Sequence, residues 1–375
     1  MNTYYSRLGR LLDEKTPIYQ EGYYVMCEGD EAKFSPEKPE GVELISAEAF
    51  IHALVEGCKF VIQSFAEGPD NKNVYAFNLY ADEHNSYYIY MNTLDRFEKT
   101  LEKYRGGKYG DKYQKDSEVL SLKYSQGDFG FQLFPDDMGE SSRIIRAFEN
   151  LAYTVMDLDE DDCLSEEDEP VIAFEAGILK DGFNLLTLKA AAQLIEENAF
   201  APLQRTEDFI AFAATGNDYV DYSLTMRKTI DLDLFYRLFP DVKEKDALFQ
   251  AEIDKTAGLS VSEALDYWLP AVHSDYVPES PAQYIKFEYD LFMRLECYSN
   301  SLARECLERL KKFDWNEPLE RNDYELIAYY QEALHFAGEL TEDQRENCIA
   351  LAEQMTDSNE DLQEWANTLL AIART

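Results

Sequence analysis

Cysteine is scarce in this chain. Six residues, Cys27, Cys58, Cys163, Cys297, Cys306 and Cys348, are spread over 375 positions with no C-x-x-C pair. That excludes a disulfide-stapled scaffold and predicts reduced thiols in a cytoplasmic protein. The four histidines (His52, His84, His273, His335) lie far apart with no H-x-x-x-H spacing, so no zinc site is predicted. Glycine (17) and proline (12) are low, which argues against long flexible linkers. No run approaches the ~18 consecutive apolar residues of a membrane span. The opening Met1-Asn2-Thr3-Tyr4-Tyr5-Ser6-Arg7-Leu8 has neither an apolar stretch nor a small-residue cleavage site, so no secretory signal is expected. A P-loop, a G-x-S-x-G elbow and a Gly-rich dinucleotide turn are also missing. The sequence therefore assigns no catalytic, cofactor-binding or metal-ligating residue.

Positive charge is the other deficit. Lys and Arg total 35 against 74 Asp and Glu, a net charge of −39. A surface that negative repels phosphate backbones, so direct nucleic-acid binding is not expected, and it steers basic partners towards the chain. Apolar residues make up 45%, with 26 Tyr and 22 Phe, enough for a sizeable core and too many for a disordered chain.

The pattern changes character near the middle. Up to about Pro240 short β-rich runs alternate with helical ones. Ser46 to Phe65 reads as a helix, with Ser46 as N-cap and Phe50, Leu54, Cys58 and Val61/Ile62 at helical spacing. Val74 to Tyr80 and Tyr87 to Met91 read as a hairpin, followed by an Asn92-Thr93 cap and a helix through Leu101. Helices are expected over Ser141 to Met156 and Leu186 to Glu197. A second hairpin is expected from Phe209–Ala214 and Tyr219–Met226 around Gly216-Asn217-Asp218. The expected fold is α+β: an antiparallel sheet flanked by helices over 1–240, followed by an all-helical region of packed helical hairpins over 241–375. In that second part the helices are Val261–Trp268, Pro281–Tyr298, Ser301–Phe313, Asp323–Ala337, Thr341–Met355 and Asn359–Ile372. Thr341-Glu342-Asp343-Gln344 has the form of a capping box.

The run Val74-Tyr75-Ala76-Phe77-Asn78-Leu79-Tyr80-Ala81-Asp82, followed by Met91-Asn92-Thr93, resembles the Y-A-F-x-L-Y-T-D … x-N-T opening of the bacterial DUF4303 family of unknown function. Leu122 to Phe131 is similar to that family's W-S-P-x-x-W-x-Y segment, with Tyr124, Gln126 and Phe129 in place of Trp, Pro and Trp. Phe209 to Met226 falls where the family's closing strands lie. The resemblance covers roughly residues 46–240 and leaves the helical remainder unexplained. It implies a binding role of the kind played by immunity proteins of contact-toxin systems, and it brings no catalytic residues.

Several local features invite chemistry. Asp157 to Asp168 matches an EF-hand loop with carboxylates at positions 1, 3, 5 and 12. However, Asp162 stands at the glycine position and Asp168 at the bidentate glutamate position. With nine acids and no base between Asp157 and Glu169, it reads as a solvated acidic loop, and calcium is not predicted. Asp218 and Asp221, with Arg227 and Lys228 following, read as turn and exposed-strand charges. The stretch Arg96 to Lys115, with seven bases against four acids, the acids counted from Asp95 to Asp111, is the only locally positive segment and reads as a solvated helix-and-loop face. The pairs Tyr4-Tyr5, Tyr23-Tyr24, Tyr87-Tyr88 and Tyr329-Tyr330 are half-buried residues or parts of an aromatic, acidic recognition face.

The function expected on these grounds is that of a non-enzymatic, cytoplasmic binding protein, an immunity-type inhibitor whose acids meet a basic toxin. The alternatives are a hydrolase-type enzyme with a cleft between the α/β and helical parts, and a structural adaptor built on the helical part.

Overall fold

The computed structural model describes residues 23–29, 31–82, 84–156, 171–181, 185–215, 226–271, 292, 294–358 and 362–374. They fall in two compact units, the first ending at Leu238 and the second beginning at Phe239.

The first unit is α+β with two four-stranded sheets. One has the order β2-β1-β7-β3, from β1 (Tyr24–Glu28), β2 (Glu31–Ser35), β3 (Glu43–Ile45) and β7 (Ile172–Glu175). The other has the order β6-β5-β4-β8, from β4 (Val74–Ala81), β5 (Tyr87–Thr93), β6 (Phe131–Leu133) and β8 (Arg205–Thr215). The expectation of a purely antiparallel sheet is corrected. β3 pairs parallel with β7, and β4 pairs parallel with β8, so both sheets are mixed. The cause is connection length. β4 reaches β5 through a tight turn and must run antiparallel to it, whereas long helical crossovers separate β4 from β8 and β3 from β7. Of the second expected hairpin, Phe209–Ala214 lies in β8 as a strand, and Met226, expected to end the second strand, starts a helix. Gly216 to Thr225 lies outside the described residues.

Helix α1 (Ala47–Glu67) begins as expected, the Ala49 N–H donating to Ser46 Oγ at 3.1 Å. Its apolar stripe, including Phe50, Leu54, Cys58, Val61 and Ile62, is buried. This helix is long and apolar enough to cross a membrane by composition alone, with half of its most apolar window buried inside the protein. Phe50 shows what the stripe packs against. Its ring lies 5.6 Å from Tyr87 on β5, 4.7 Å from Phe148 on α4 (Ser142–Met156) and 6.2 Å from Phe174 on β7. One aromatic cluster thus joins the two sheets, and its tilted and edge-on pairs each contribute about 0.5–1.5 kcal/mol beyond area burial.

Between β5 and β6 run α2 (Leu94–Arg105), capped by Thr93, and α3 (Asp116–Lys123). Gly110 follows α2 where a Cβ would sit 2.0 Å from the Arg105 carbonyl oxygen, so the chain closes there only with glycine. Beyond β7 come α5 (Gly177–Asp181) and α6 (Thr187–Glu196), and beyond β8 come α7 (Met226–Thr229) and α8 (Leu232–Leu238).

The described part of the second unit is helical: α9 (Pro240–Lys255), α10 (Val261–Trp268), α11 (Asn300–Leu310), α12 (Arg321–His335), α13 (Glu342–Ser358) and α14 (Gln363–Arg374). α11 packs on α12 and α13 on α14 around a core that includes Trp268, Leu302, Cys306, Leu334, Leu351 and Leu369. The capping box forms: the Gln344 N–H donates to Thr341 Oγ1 at 3.3 Å, and the Thr341 N–H donates to Gln344 Oε1 at 2.9 Å. Arg309 ties three helices together, reaching Asp266 and Ser262 on α10, Glu305 on α11 and the Tyr330 hydroxyl on α12. Pro281 to Asp290 and Asn359 to Asp361, expected in helices, lie outside the described residues.

Candidate functional site

The first unit carries a surface pocket of about 600 Å³ where α4, the β4–β5 turn and the segment after β6 meet. Each wall follows from local sequence. In the turn, Asp82 Oδ1 accepts the His84 and Ser86 amides at 2.9 and 2.8 Å, and Asn85 takes the left-handed conformation (φ 62°) that asparagine tolerates. The turn fixes Ser86, whose hydroxyl lies 3.1 Å from the Tyr153 hydroxyl. On α4, Arg146, Glu149, Asn150 and Tyr153 recur at i, i+3, i+4 and i+7 and line the pocket, while Ile145, Phe148 and Ala152 are buried. The third wall is Phe134 to Asp137. There the Phe134 N–H donates to Asp137 Oδ2 at 2.8 Å, and the Phe134 ring meets Tyr88 edge-on at 5.7 Å. Arg146 grips Asp136 through Nε and Nη2, a bidentate pair.

Glu149 sits at the centre of the electrostatics. Burial pushes its carboxyl up to about 7, helped by the negative charges of Asp82 and Asp136 and opposed by the Tyr87 amide and the Arg146 guanidinium. Its Oε1 accepts the Tyr87 N–H at 3.1 Å, and no second donor meets the carboxylate among the described residues. The phenols of Tyr88 and Tyr90 are raised by burial and then by Asp82. With Tyr80 they form an aromatic cluster, ring centroids 5.6–6.2 Å apart.

A smaller cavity of about 180 Å³ lies between α6, β8 and α8, walled by Phe200, Phe209, Ile210, Thr229 and Leu234. Among the described residues no group of three or more His, Cys, Asp or Glu side chains could hold a metal ion.

The features singled out in the sequence scatter. The acidic loop Asp157 to Asp168 and the pair Asp218/Asp221 lie outside the described residues. In the stretch Arg96 to Lys115 the bases are partly paired: Arg96 with Asp70 at 3.4 Å, Lys112 with Glu118 at 3.1 Å, and Arg105 Nε donating to the Tyr113 carbonyl at 3.0 Å. Tyr329 and Tyr330 are buried in the helical core, whereas Tyr88 is half-buried and lines the pocket. Sequence reading missed Glu149 altogether. A single Glu among 74 acids carries no signature, and the only available sign was the polar stripe Arg146, Glu149, Asn150, Tyr153 on an otherwise apolar helix. Comparison of the chain with protein-family models, curated proteins and solved structures finds no match.

Proposed function

We propose that this chain is a non-enzymatic, cytoplasmic binding protein of the DUF4303 kind, an immunity-type inhibitor that engages a basic bacterial toxin through its acidic surface. The observation that carries the reading is the pocket wall. Tyr88 and Phe134, the latter 45% exposed, stand beside Asp136, Asp137 and Glu149 on a chain of net charge −39. Aromatic rings give contact area at low entropy cost, and the carboxylates give charge complementarity to a basic surface. The test is capture of a basic protein from the native genetic neighbourhood, followed by affinity against salt. The Debye length falls from about 30 Å at 0.01 M to about 3 Å at 1 M, so affinity must fall steeply over that range. Tight binding indifferent to salt would count against the electrostatic reading.

One observation favours a second reading, a hydrolase-type enzyme. A carboxyl held near neutrality in a pocket is suited to general acid–base work. Turnover of ester or glycoside substrates that rises or falls with the ionisation of Glu149 and vanishes in Glu149→Gln would support it. Turnover unchanged in that variant would remove it.

A further inference from the structure

We infer that the pocket between α4 and the β4–β5 turn receives one arginine side chain of the basic partner, its guanidinium on Glu149 and its flat face against Tyr88 and Phe134. This rests on the binding-protein reading above and names the chemistry the site selects.

Three observations converge on a planar cation. First, the charge balance of the lining is uneven. Asp136, Asp137 and Glu149 set three carboxylates against the single guanidinium of Arg146, leaving −2 when Glu149 is ionised and −1 when it is not. Arg146 is committed to Asp136, while Asp137 and Glu149 each accept one backbone amide, from Phe134 and Tyr87, and keep a second oxygen for a guest; Glu149, on α4 below the turn, is the one that burial holds near neutrality. Second, Glu149 is under-satisfied. An ionised carboxylate offers about four lone-pair sites, and the Tyr87 amide is the one donor it meets among the described residues. Glu149 is half-buried, and a carboxylate partly withdrawn from water gains most from a donor that arrives with a positive charge. Third, the wall opposite is aromatic, Phe134 standing edge-on to Tyr88 at 5.7 Å. Guanidinium stacks on such faces and presents a fork of donors, whereas an ammonium is a compact, strongly hydrated point charge.

Occupation is coupled to a proton. The groups facing Glu149 are Arg146 on its own helix, Asp82 on the turn and Asp136 after β6, with the hydroxyls of Tyr88, Tyr153 and Ser86 alongside. The two aspartates favour the protonated form of Glu149 and the arginine the ionised one. A guest guanidinium adds to the Arg146 side of that balance, so binding expels the proton and strengthens as pH rises through neutrality.

The test uses the full chain and three probes: N-acetyl-arginine methylamide, a nona-arginine peptide and a nona-lysine peptide. Calorimetry is run at low salt near pH 6 and pH 8. Glu149→Gln keeps an acceptor for the Tyr87 amide, so the fold survives, and a melting temperature no lower than the native chain's verifies it. Phe134→Ala trims an exposed ring, and Glu98→Gln removes one charge outside the pocket. We expect Glu149→Gln and Phe134→Ala to weaken the arginine probes by about tenfold, the loss of one charge-assisted contact, with Glu98→Gln nearly silent. We also expect the proton-linked gain from pH 6 to pH 8 to disappear in Glu149→Gln. If nona-arginine binds the native chain and Glu149→Gln equally, or nona-lysine suffers the same loss, the arginine pocket is overturned while the acidic-binder reading stands. If no basic peptide binds the native chain at low salt, the reading itself is overturned.

Discussion

The Glu149 carboxylate accepts the Tyr87 amide at 3.1 Å just beyond the point where β6 stops covering the edge of β5. The last β5 residue paired to β6 at that end is Ile89, opposite Leu133. Glu149 therefore does for Tyr87 what a longer strand would have done, satisfying an edge amide with a side-chain oxygen. The energetic cost appears as a carboxyl that burial pushes up to about 7 from its ordinary 4.5. The native state holds this proton more tightly than the unfolded chain does, so its stabilising effect is complete below about pH 4.5 and is lost as pH rises through 7. Glu149→Gln should be more stable than the native chain at pH 8 by about 1–2 kcal/mol, a figure reduced from the full shift for partial solvent access. The difference should shrink towards pH 5. Urea melts of both proteins at the two pH values check this, and a difference independent of pH would refute it.

Arg309 is the corresponding fixed point of the helical unit. Its side chain is 11% exposed, yet its guanidinium bonds Asp266 at 2.6 Å, Glu305 at 3.0 Å and Ser262 Oγ at 2.8 Å, and lies 5.4 Å from the Tyr330 ring centre. No ammonium reproduces that fork, so Arg309→Lys recovers only part of what is lost in Arg309→Ala. The alanine variant should cost about 3 kcal/mol, because it removes the charged donor that Glu305 shares with the Ser262 hydroxyl and breaks the bonds to Asp266 and Ser262. Chemical denaturation followed through Trp268 and Trp315 fluorescence would show it. A loss below 1 kcal/mol would mean water replaces the guanidinium freely.

The elements legible in the sequence are those whose signals are local. Ser46 with Phe50, Leu54 and Cys58 announces α1, Thr93 announces α2, and Thr341 with Gln344 announces α13, because caps and helical periodicity act within a few residues. The strands β1, β2, β3 and β7, three to five residues each, escaped notice because so short a run carries almost no periodicity. The parallel pairing of β4 with β8 escaped because it joins residues more than a hundred positions apart, such as Phe77 and Ala211. Helix α9 was missed for a related reason, its mixed charged and apolar run having no clear stripe. The pocket combines α4, the β4–β5 turn and Phe134–Asp137, three segments whose convergence only tertiary structure reveals.

The caps give a graded test in each unit. Ser46 accepts the Ala49 amide at 3.1 Å, and Ser260 forms a capping box in which its own amide donates to Glu263 at 2.8 Å. Ser46→Ala and Ser260→Ala should each cost about 1 kcal/mol, and Ser46→Asp should be close to neutral because its carboxylate still caps and complements the helix dipole. Denaturation midpoints in urea measure all three. An Ala variant as stable as the native chain would show that water caps the helix equally well.

Thiol labelling separates the two units. Cys297 is exposed, while Cys58 on α1 and Cys306 on α11 are fully buried and Cys348 on α13 is buried too. Burial pushes the Cys348 thiol up to about 11 and raises those of Cys58 and Cys306 further, so little thiolate exists to react while the fold is closed. A thiol reagent at pH 8 should label Cys297 ahead of Cys58, Cys306 and Cys348, which wait for the chain to open. Their labelling rates in sub-denaturing urea then report the opening free energy of each unit, Cys58 for the first and Cys306 and Cys348 for the second. Cys306 and Cys348 share one core and should become reactive together, whereas Cys58 follows its own midpoint if the units open separately. Site-resolved mass spectrometry reads every cysteine in one experiment. Labelling of Cys306 as fast as Cys297 in native buffer would mean that the helical core is not closed around it.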